Sequence, residues 1–336
     1  MRAFAEAGWY GKDKRWWLLW PLLAPLTLLF IALARVSKWR TQAHSKPLAK
    51  PVLVVGNITV GGTGKTPLMV SLVKGLQARG WNPGIVSRGY GARPDAFPYR
   101  VTLDSPVFEA GDEPLMLARA TGVPLVIDPD RRRAAVQLCE ETRCDVILSD
   151  DGLQHYRLWR DAEICVLDAG RGIGNGWRLP FGPLRESARR LSQVDWVVLN
   201  GTPAQDLTGV KDRAPLQSMQ VVPTALVNLA TGETRSLSAL AEGQWQAICG
   251  IGNPGRFFDS LGALDCRFHA EVFADHHAFA PADFSGLNPA LPVVMTEKDA
   301  VKCRAFAKAH WWYLAIEAQV DSAWLDAVSD RLRNAR

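Results

Sequence analysis

The chain has 336 residues, of which 48% are hydrophobic and 22% charged, and a formal net charge of +5. That length supports two modest domains with a substantial core, and the composition excludes a disordered or low-complexity chain. The mild positive charge comes without a long basic run interleaved with aromatics, so nucleic acid is not an expected partner.

Five of the thirteen Trp, at positions 9, 16, 17, 20 and 39, fall near the N-terminus, the bias of side chains that settle at the headgroup depth of a membrane. From Trp16 to Ala34 nearly every residue is apolar, with Lys12, Lys14 and Arg15 before the run and Arg35, Lys38 and Arg40 after it. The run fits a spanning helix, a signal peptide, a helix lying in the interface, or an apolar helix packed on the protein's own core. Ala32-Leu-Ala34 imitates a cleavage site, but the run is long and basic residues follow it at once. Basic flanks on both sides suit a helix on anionic lipid, so residues 1–45 are expected to form a membrane-associated segment with the body in the cytoplasm.

Pro51-Val-Leu-Val-Val55 reads as a buried parallel strand, and Leu68, Val70, Leu72, Val73 and Leu76 recur at helical spacing after it. Between them lies a glycine-rich turn in which Thr59, Val60, Gly61, Gly62, Thr63, Gly64, Lys65 and Thr66 match a phosphate-binding loop. Backbone N–H groups and the helix N-terminus would face phosphate oxygens, Lys65 would reach the β- and γ-phosphates, and Thr66 would hold Mg²⁺. Thr59 stands where the usual pattern has its first Gly, and Gly61 and Gly62 are expected to supply the permissive backbone angles instead.

Residues 83–91 read as a second strand ending at Arg88, a candidate phosphate contact. Gly111-Asp-Glu-Pro114 precedes a predicted helix from Leu115 to Thr121, and Pro124-Leu-Val-Ile127 is a further strand. Asp128-Pro-Asp-Arg-Arg-Arg133 opens the next helix, its three Arg being either a solvated face or a phosphate or lipid contact. The strand in Asp145-Val-Ile-Leu-Ser-Asp-Asp-Gly152 runs into Asp150 and Asp151, the layout of a Walker B segment that binds Mg²⁺ directly or through water. Ile164-Cys-Val-Leu-Asp168 and Trp196-Val-Val-Leu-Asn200 complete six buried segments alternating with helices. The pattern predicts an α/β fold with a P-loop NTPase-like, doubly wound, mostly parallel sheet over residues 46–210. Residues 211–336 read as a smaller C-terminal α/β lobe, with short β-like pieces over 214–234, strands at 246–252 and 292–296, and an active site in the cleft between lobes. The six Cys lack C-x-x-C spacing and read as reduced, buried thiols.

Seven motifs occur in order: Gly61-Gly-Thr-Gly-Lys-Thr-Pro67, Ser87-Arg-Gly-Tyr-Gly91, Gly111-Asp-Glu-Pro114, Ser149-Asp-Asp-Gly-Leu-Gln-His155, Gly182-Pro-Leu-Arg-Glu186, Asp275-His-His277 and Thr296-Glu-Lys-Asp299. With them the chain resembles, over essentially its whole length, the tetraacyldisaccharide 4′-kinases, the lipid A 4′-kinases of Gram-negative bacteria. The resemblance implies ATP-dependent phosphorylation of the 4′-hydroxyl of a tetraacylated glucosamine disaccharide 1-phosphate, a membrane-embedded lipid A precursor. It also implies work at the cytoplasmic face of the inner membrane. By the same resemblance, Asp112 is the base and His276 tunes it or relays its proton, with His277 the alternative to His276 and Glu113 the alternative base. Gln154, His155, Arg185 and Glu186 would touch nucleotide or substrate, Arg185 and Glu186 having an exposed ion pair as their ordinary alternative. Lys298 is either a nucleotide contact or part of a helix start. The competing function is a membrane-associated, partner-regulated P-loop ATPase switch. The signature Lys of such switches is replaced here by Val60, and no Asn-Lys-x-Asp guanine motif is present.

Overall fold

The computed structural model describes residues 2–11, 13–203, 210 and 213–335, so Lys12 and most residues around the expected 210/211 boundary lie outside the described set. Helix α1 (Arg2–Trp9) and a 3-10 turn (Lys14–Leu19), N-capped by Asp13, lead into α2 (Trp20–Gln42), which carries Pro25 within it. The 3-10 turn and α2 together are long and apolar enough to cross a membrane by length and composition, and only 6% of the apolar window is buried in the protein. Leu18, Leu22, Leu28, Leu33 and Trp39 all stand exposed. Their outward placement argues against the alternative of a helix packed on the protein's own core. At its base the segment is docked: the Trp16 indole is buried and donates to the Phe181 carbonyl at 2.8 Å, and Trp9 donates to Pro180 at 3.1 Å.

The β-branched runs become strands because their side chains are covered on both faces. They are β1 (Val52–Gly56), β2 (Pro83–Ser87), β3 (Tyr99–Val101), β4 (Leu125–Ile127), β5 (Val146–Asp150), β6 (Ala162–Asp168) and β7 (Trp196–Asn200). Their spatial order is β7-β6-β1-β5-β2-β4-β3, parallel except for β3, an edge strand absent from the sequence reading. Alternation along β1 sends Leu53 and Val55 to one core with α3 (Lys65–Gln77) and Val52 and Val54 to the other. The short α4 (Val107–Ala110) and α5 (Asp112–Thr121) follow β3, and α6 (Arg131–Glu141) follows β4 with Asp130 as its N-cap. Helix α5 thus starts at Asp112, three residues before the expected Leu115.

Residues 216–228, expected as short pieces, form one long strand β8 (Leu216–Asn228). Its first part pairs parallel with β7, and its remainder pairs antiparallel with the last strand. Among the described residues the thirteen-stranded sheet therefore runs on into the C-terminal part, where β9 (Thr234–Arg235), β10 (Gln244–Cys249), β11 (Arg267–Val272), β12 (Val293–Thr296) and β13 (Trp311–Gln319) follow. Helices α7 (Pro254–Gly262) and α8 (Glu297–Cys303) belong to this part. The terminal helix α9 (Ser322–Arg333) returns to α3, placing Trp324, Val328 and Leu332 in the first core. The six Cys are free thiols, all buried or half-buried.

The loop after β6 supports both the N-terminal dock and the phosphate loop. A Cβ at Gly182 would lie 2.1 Å from the Trp177 carbonyl oxygen, whereas one at Gly286 would meet nothing. Gly182→Ala is therefore expected to lower stability by about 1–3 kcal/mol, and Gly286→Ala by less than about 0.5 kcal/mol, in thermal or urea unfolding.

Candidate active site

The site is built at the C-terminal ends of β1, β5 and β2, where a parallel sheet directs its loops to one edge. The phosphate loop leaves β1 and enters α3 at Lys65. Thr59 forms a bridge with Leu184, Val60 donates to the Pro183 carbonyl at 2.9 Å, and Arg185 donates to the Ile58 carbonyl at 2.7 Å. The Gly182-Pro-Leu-Arg-Glu186 segment thus zips onto the start of the loop and holds Thr59 extended, so no glycine is needed there. The left-handed angles fall at Gly61 (φ 99°) and Gly64 (φ 90°), not at Gly62 as expected. A side chain at Gly64 would collide with Asn200, whose amide donates to the Thr63 carbonyl at 3.0 Å. Thr66 lies half-buried in the first turn of α3.

Lys65 Nζ sits 3.6 Å from Asp151 and 3.4 Å from the Asn57 side-chain oxygen. Arg185 grips Asp151 through two bonds, of 2.8 and 3.1 Å, and also reaches the Asn57 side chain. Burial alone would raise the Asp151 carboxyl, but Lys65, Arg185 and Arg131 hold it well below the usual carboxylate range. Asp150 has the opposite environment. It is fully enclosed, accepts from the Ser87 hydroxyl at 3.2 Å, and is pushed up to about 7 by burial and by the charges of Glu113 and Asp151. Two adjacent carboxylates are thereby driven apart.

Across from them, Asp112 is the first residue of α5, placed there by Gly111 at φ 81°. It is buried, and its Oδ2 lies 3.0 Å from His276 Nδ1. His276 itself holds a left-handed backbone (φ 60°), a conformation that costs free energy in a residue with a Cβ. Lys298, in the first turn of α8, completes the group: Nζ is 2.9 Å from Glu113, 3.3 Å from His276 Nε2 and 3.8 Å from Asp112. Burial opposes the Asp112 charge, but the hydrogen bond to His276 and the Lys298 charge pull its pKa below the ordinary value. The same hydrogen bond raises His276. His277 turns away to Asp283 at 3.0 Å, between Phe273 and Phe279.

The remaining sequence candidates divide. Arg88 is exposed at the end of β2, where its charge acts on Arg131. His155 is pushed down to about 4 by burial and by Arg131. Gln154 donates to the Asn57 carbonyl at 3.0 Å and to Glu186 at 2.9 Å, and Glu186 also accepts from the Tyr156 hydroxyl. Arg185 and Glu186 therefore brace the loop through separate partners and do not form the exposed ion pair that was their ordinary alternative.

One site residue escaped the sequence reading and another was left undecided. Asn57 receives Lys65, Arg185 and Gln154, and its only signal was its place between strand and loop. Arg131 belonged to the triple-Arg run, but it is buried, lies 3.5 Å from the Asp151 carbonyl oxygen and is drawn down to about 10 by burial and by Arg88. Only Arg133 of that run is solvated, on Asp128. Lys298 belongs to the helix start, following the Thr296 N-cap of α8, and its side chain reaches Glu113, His276 and Asp112.

The model of the tetraacyldisaccharide-1-P 4′-kinase family matches residues 19–333. A tetraacyldisaccharide 4′-kinase from Pseudomonas putida is 49% identical, with 98% of each chain covered, and one from Azotobacter vinelandii is 51% identical over 93% of each. Among solved structures, LpxK from Aquifex aeolicus in complex with ATP superposes with a TM-score of 0.73 at 25% identity, covering 93% of this chain and 98% of that one. Phosphate loop, acidic strand end and matching length agree with one another, and the chain belongs to the tetraacyldisaccharide 4′-kinase family, kinases of lipid A biosynthesis.

Proposed function

We propose that the chain transfers the γ-phosphoryl group of ATP to the 4′-hydroxyl of a tetraacylated glucosamine disaccharide 1-phosphate at the cytoplasmic face of the inner membrane. The observation that carries this reading is Asp112: a buried carboxylate kept ionised by His276 and Lys298, and joined through Glu113 to the acidic end of β5. A hydroxyl attacking a phosphorus atom needs such a group to orient it and accept its proton. Asp112 takes the 4′-hydroxyl proton, and His276 passes it onward. Residues 59–66 hold the triphosphate through backbone N–H groups, with Lys65 on the β- and γ-phosphates.

The acidic strand end also fits a divalent cation. Asp150 is enclosed beside Glu113 and Asp151, and the charges of Lys65 and Arg131 act on it. Thr66 and Asp150, with Asp151 behind them, would hold Mg²⁺, which when bound offsets charge on the β- and γ-oxygens. Arg88 acts on Arg131 and Arg131 on His155, so the three are near one another, and their positive charge would meet an anionic substituent of the sugar. The exposed α2 brings the site to the lipid, since a tetraacylated sugar stays in the bilayer and the enzyme must come to it. The ATPase-switch reading leaves the Asp112–His276 pair without a task.

Asp112→Asn is expected to lower kcat by about a hundredfold or more with little change in ATP affinity. Wild-type turnover in the asparagine variant, with labelled ATP and lipid in detergent micelles, would overturn the base assignment.

The relay also fixes a pH dependence. His276 receives the proton in its neutral form, so kcat should fall as pH drops through a value above the free-imidazole 6.5. In His276→Asn that limb should move to lower pH, on a plateau lower by about tenfold or more. Stability runs the other way. The raised His276 contributes most below 6.5 and loses its contribution as pH rises through its folded value, while the lowered Asp112 contributes above 3.8 and loses it as pH falls. The melting gap between wild type and His276→Asn should therefore shrink as pH rises from below 6.5 through the raised folded-state value. A gap that widened would contradict the pairing.

A further inference from the structure

The loop that follows β6 carries a cation that none of the roles above uses. Asp168 ends β6, and its Oδ1 accepts from the backbone N–H groups of Gly170 at 3.0 Å and Arg171 at 3.1 Å. The chain then turns through left-handed Gly172 and Gly174. The N-terminal segment clamps this turn: Asn175 donates to the Trp9 carbonyl at 2.7 Å, and a Cβ at Gly174 would lie 2.8 Å from the same oxygen. Tyr10 completes the clamp. The Arg171 guanidinium carbon sits 5.5 Å from the centre of its ring, and the guanidinium charge acts on its hydroxyl.

What this arrangement fixes is the guanidinium. A methyl group built on Gly61 would meet Arg171 Nη1 at 3.4 Å, so the charge lies against the middle of the phosphate loop. Neighbouring arginines are engaged elsewhere: Arg256 binds Asp168 at 2.7 Å, Arg185 binds Asp151, and Arg190 and Arg160 share Glu163. Among the described residues Arg171 makes no such ion pair. A half-buried guanidinium whose side-chain partner is a neutral phenol has most of its donors free for an anion.

We propose that Arg171 is a catalytic residue of the phosphoryl transfer, an arginine supplied in cis to the transferring group, and that Tyr10 is its positioning residue. The inference rests on the reading that residues 59–66 hold the ATP phosphates. In the step, the 4′-oxygen forms its bond to the γ-phosphorus as the bond to the β,γ-bridging oxygen breaks. The electron pair leaves with ADP and the hydroxyl proton goes to Asp112. Arg171 exchanges no proton; its N–H groups donate to the phosphoryl oxygens and bridging oxygen on which charge gathers. The N-terminal segment thereby has a second task, since the residues beside the membrane anchor also hold a charge at the reacting phosphate.

The test is steady-state kinetics of full-length Arg171→Ala, Arg171→Lys and Tyr10→Phe, with labelled ATP and lipid in micelles, beside wild type and Lys65→Ala. Arg171→Ala should lose about a hundredfold or more in kcat, with KM for ATP moving less than about fivefold. The lysine should recover less than about tenfold, because a point charge does not reproduce the planar fork. Added guanidinium should raise the alanine variant's turnover and not that of wild type, and Tyr10→Phe should lower kcat by a few-fold, about 1 kcal/mol or less at the barrier. An alanine variant within about threefold of wild type would overturn the proposal. So would a loss accompanied by a lower melting temperature and no response to guanidinium, which marks a structural arginine. Lys65→Ala separates the two readings, for if it kept full activity the phosphate-loop assignment itself would fail.

Discussion

Negative charge gathered at one edge of the sheet is the constraint on which the rest of the site depends. Asp112, Glu113, Asp150 and Asp151 come from the start of α5 and the end of β5, and two of the four are fully buried or nearly so. Carboxylates brought together out of water repel one another and lose hydration, so each must find a cation, share a proton or rise in pKa. The protein uses all three outcomes. Asp151 is held by Lys65 and Arg185, Asp112 by His276 and Lys298, and Asp150 is left raised near neutrality. The unequal treatment gives chemically similar side chains different protonation behaviour within one cleft.

The cations come from distant parts of the chain, which explains why the sheet has to be continuous. Lys65 follows β1, Arg185 comes from the segment zipped onto the phosphate loop, and His276 and Lys298 come from the C-terminal part beyond β8. Strand β8 pairs with β7 on one side and β13 on the other, and α9 returns to pack on α3. The two halves are thereby tied at the sheet and at the terminal helix, while the Asp112–His276 contact closes the front. The N-terminal segment is tied in the same way, since Trp9 and Trp16 bond the carbonyls of Pro180 and Phe181 just ahead of the zipped segment.

The parallel strands were legible because each is a short β-branched run buried on both faces, and the phosphate loop because strand, glycine turn and helix occur in the required order. Strand β3, with only Tyr99–Val101, is too short to show a period. Strand β8 read as fragments because its exposure changes where it passes from one neighbour to the next, so no single alternation persists along it. The pairing of Asp112 with His276 spans 164 residues and is a product of topology; only the motif set pointed to it. Arg131 was left undecided for a different reason. A run of three arginines at a helix start looks solvated, and only the three-dimensional path of α6 turns the first of them inward.

The central claim is that one cleft brings the ATP phosphates and a sugar hydroxyl of a membrane lipid together. The most direct measurement follows γ-labelled ATP, with Mg²⁺, into a tetraacyldisaccharide 1-phosphate in micelles and locates the labelled phosphate on the sugar by NMR. The account predicts one phosphate per lipid at the 4′-oxygen, dependent on an intact Lys65. Label released as free phosphate under saturating lipid, or label on another hydroxyl, would contradict it.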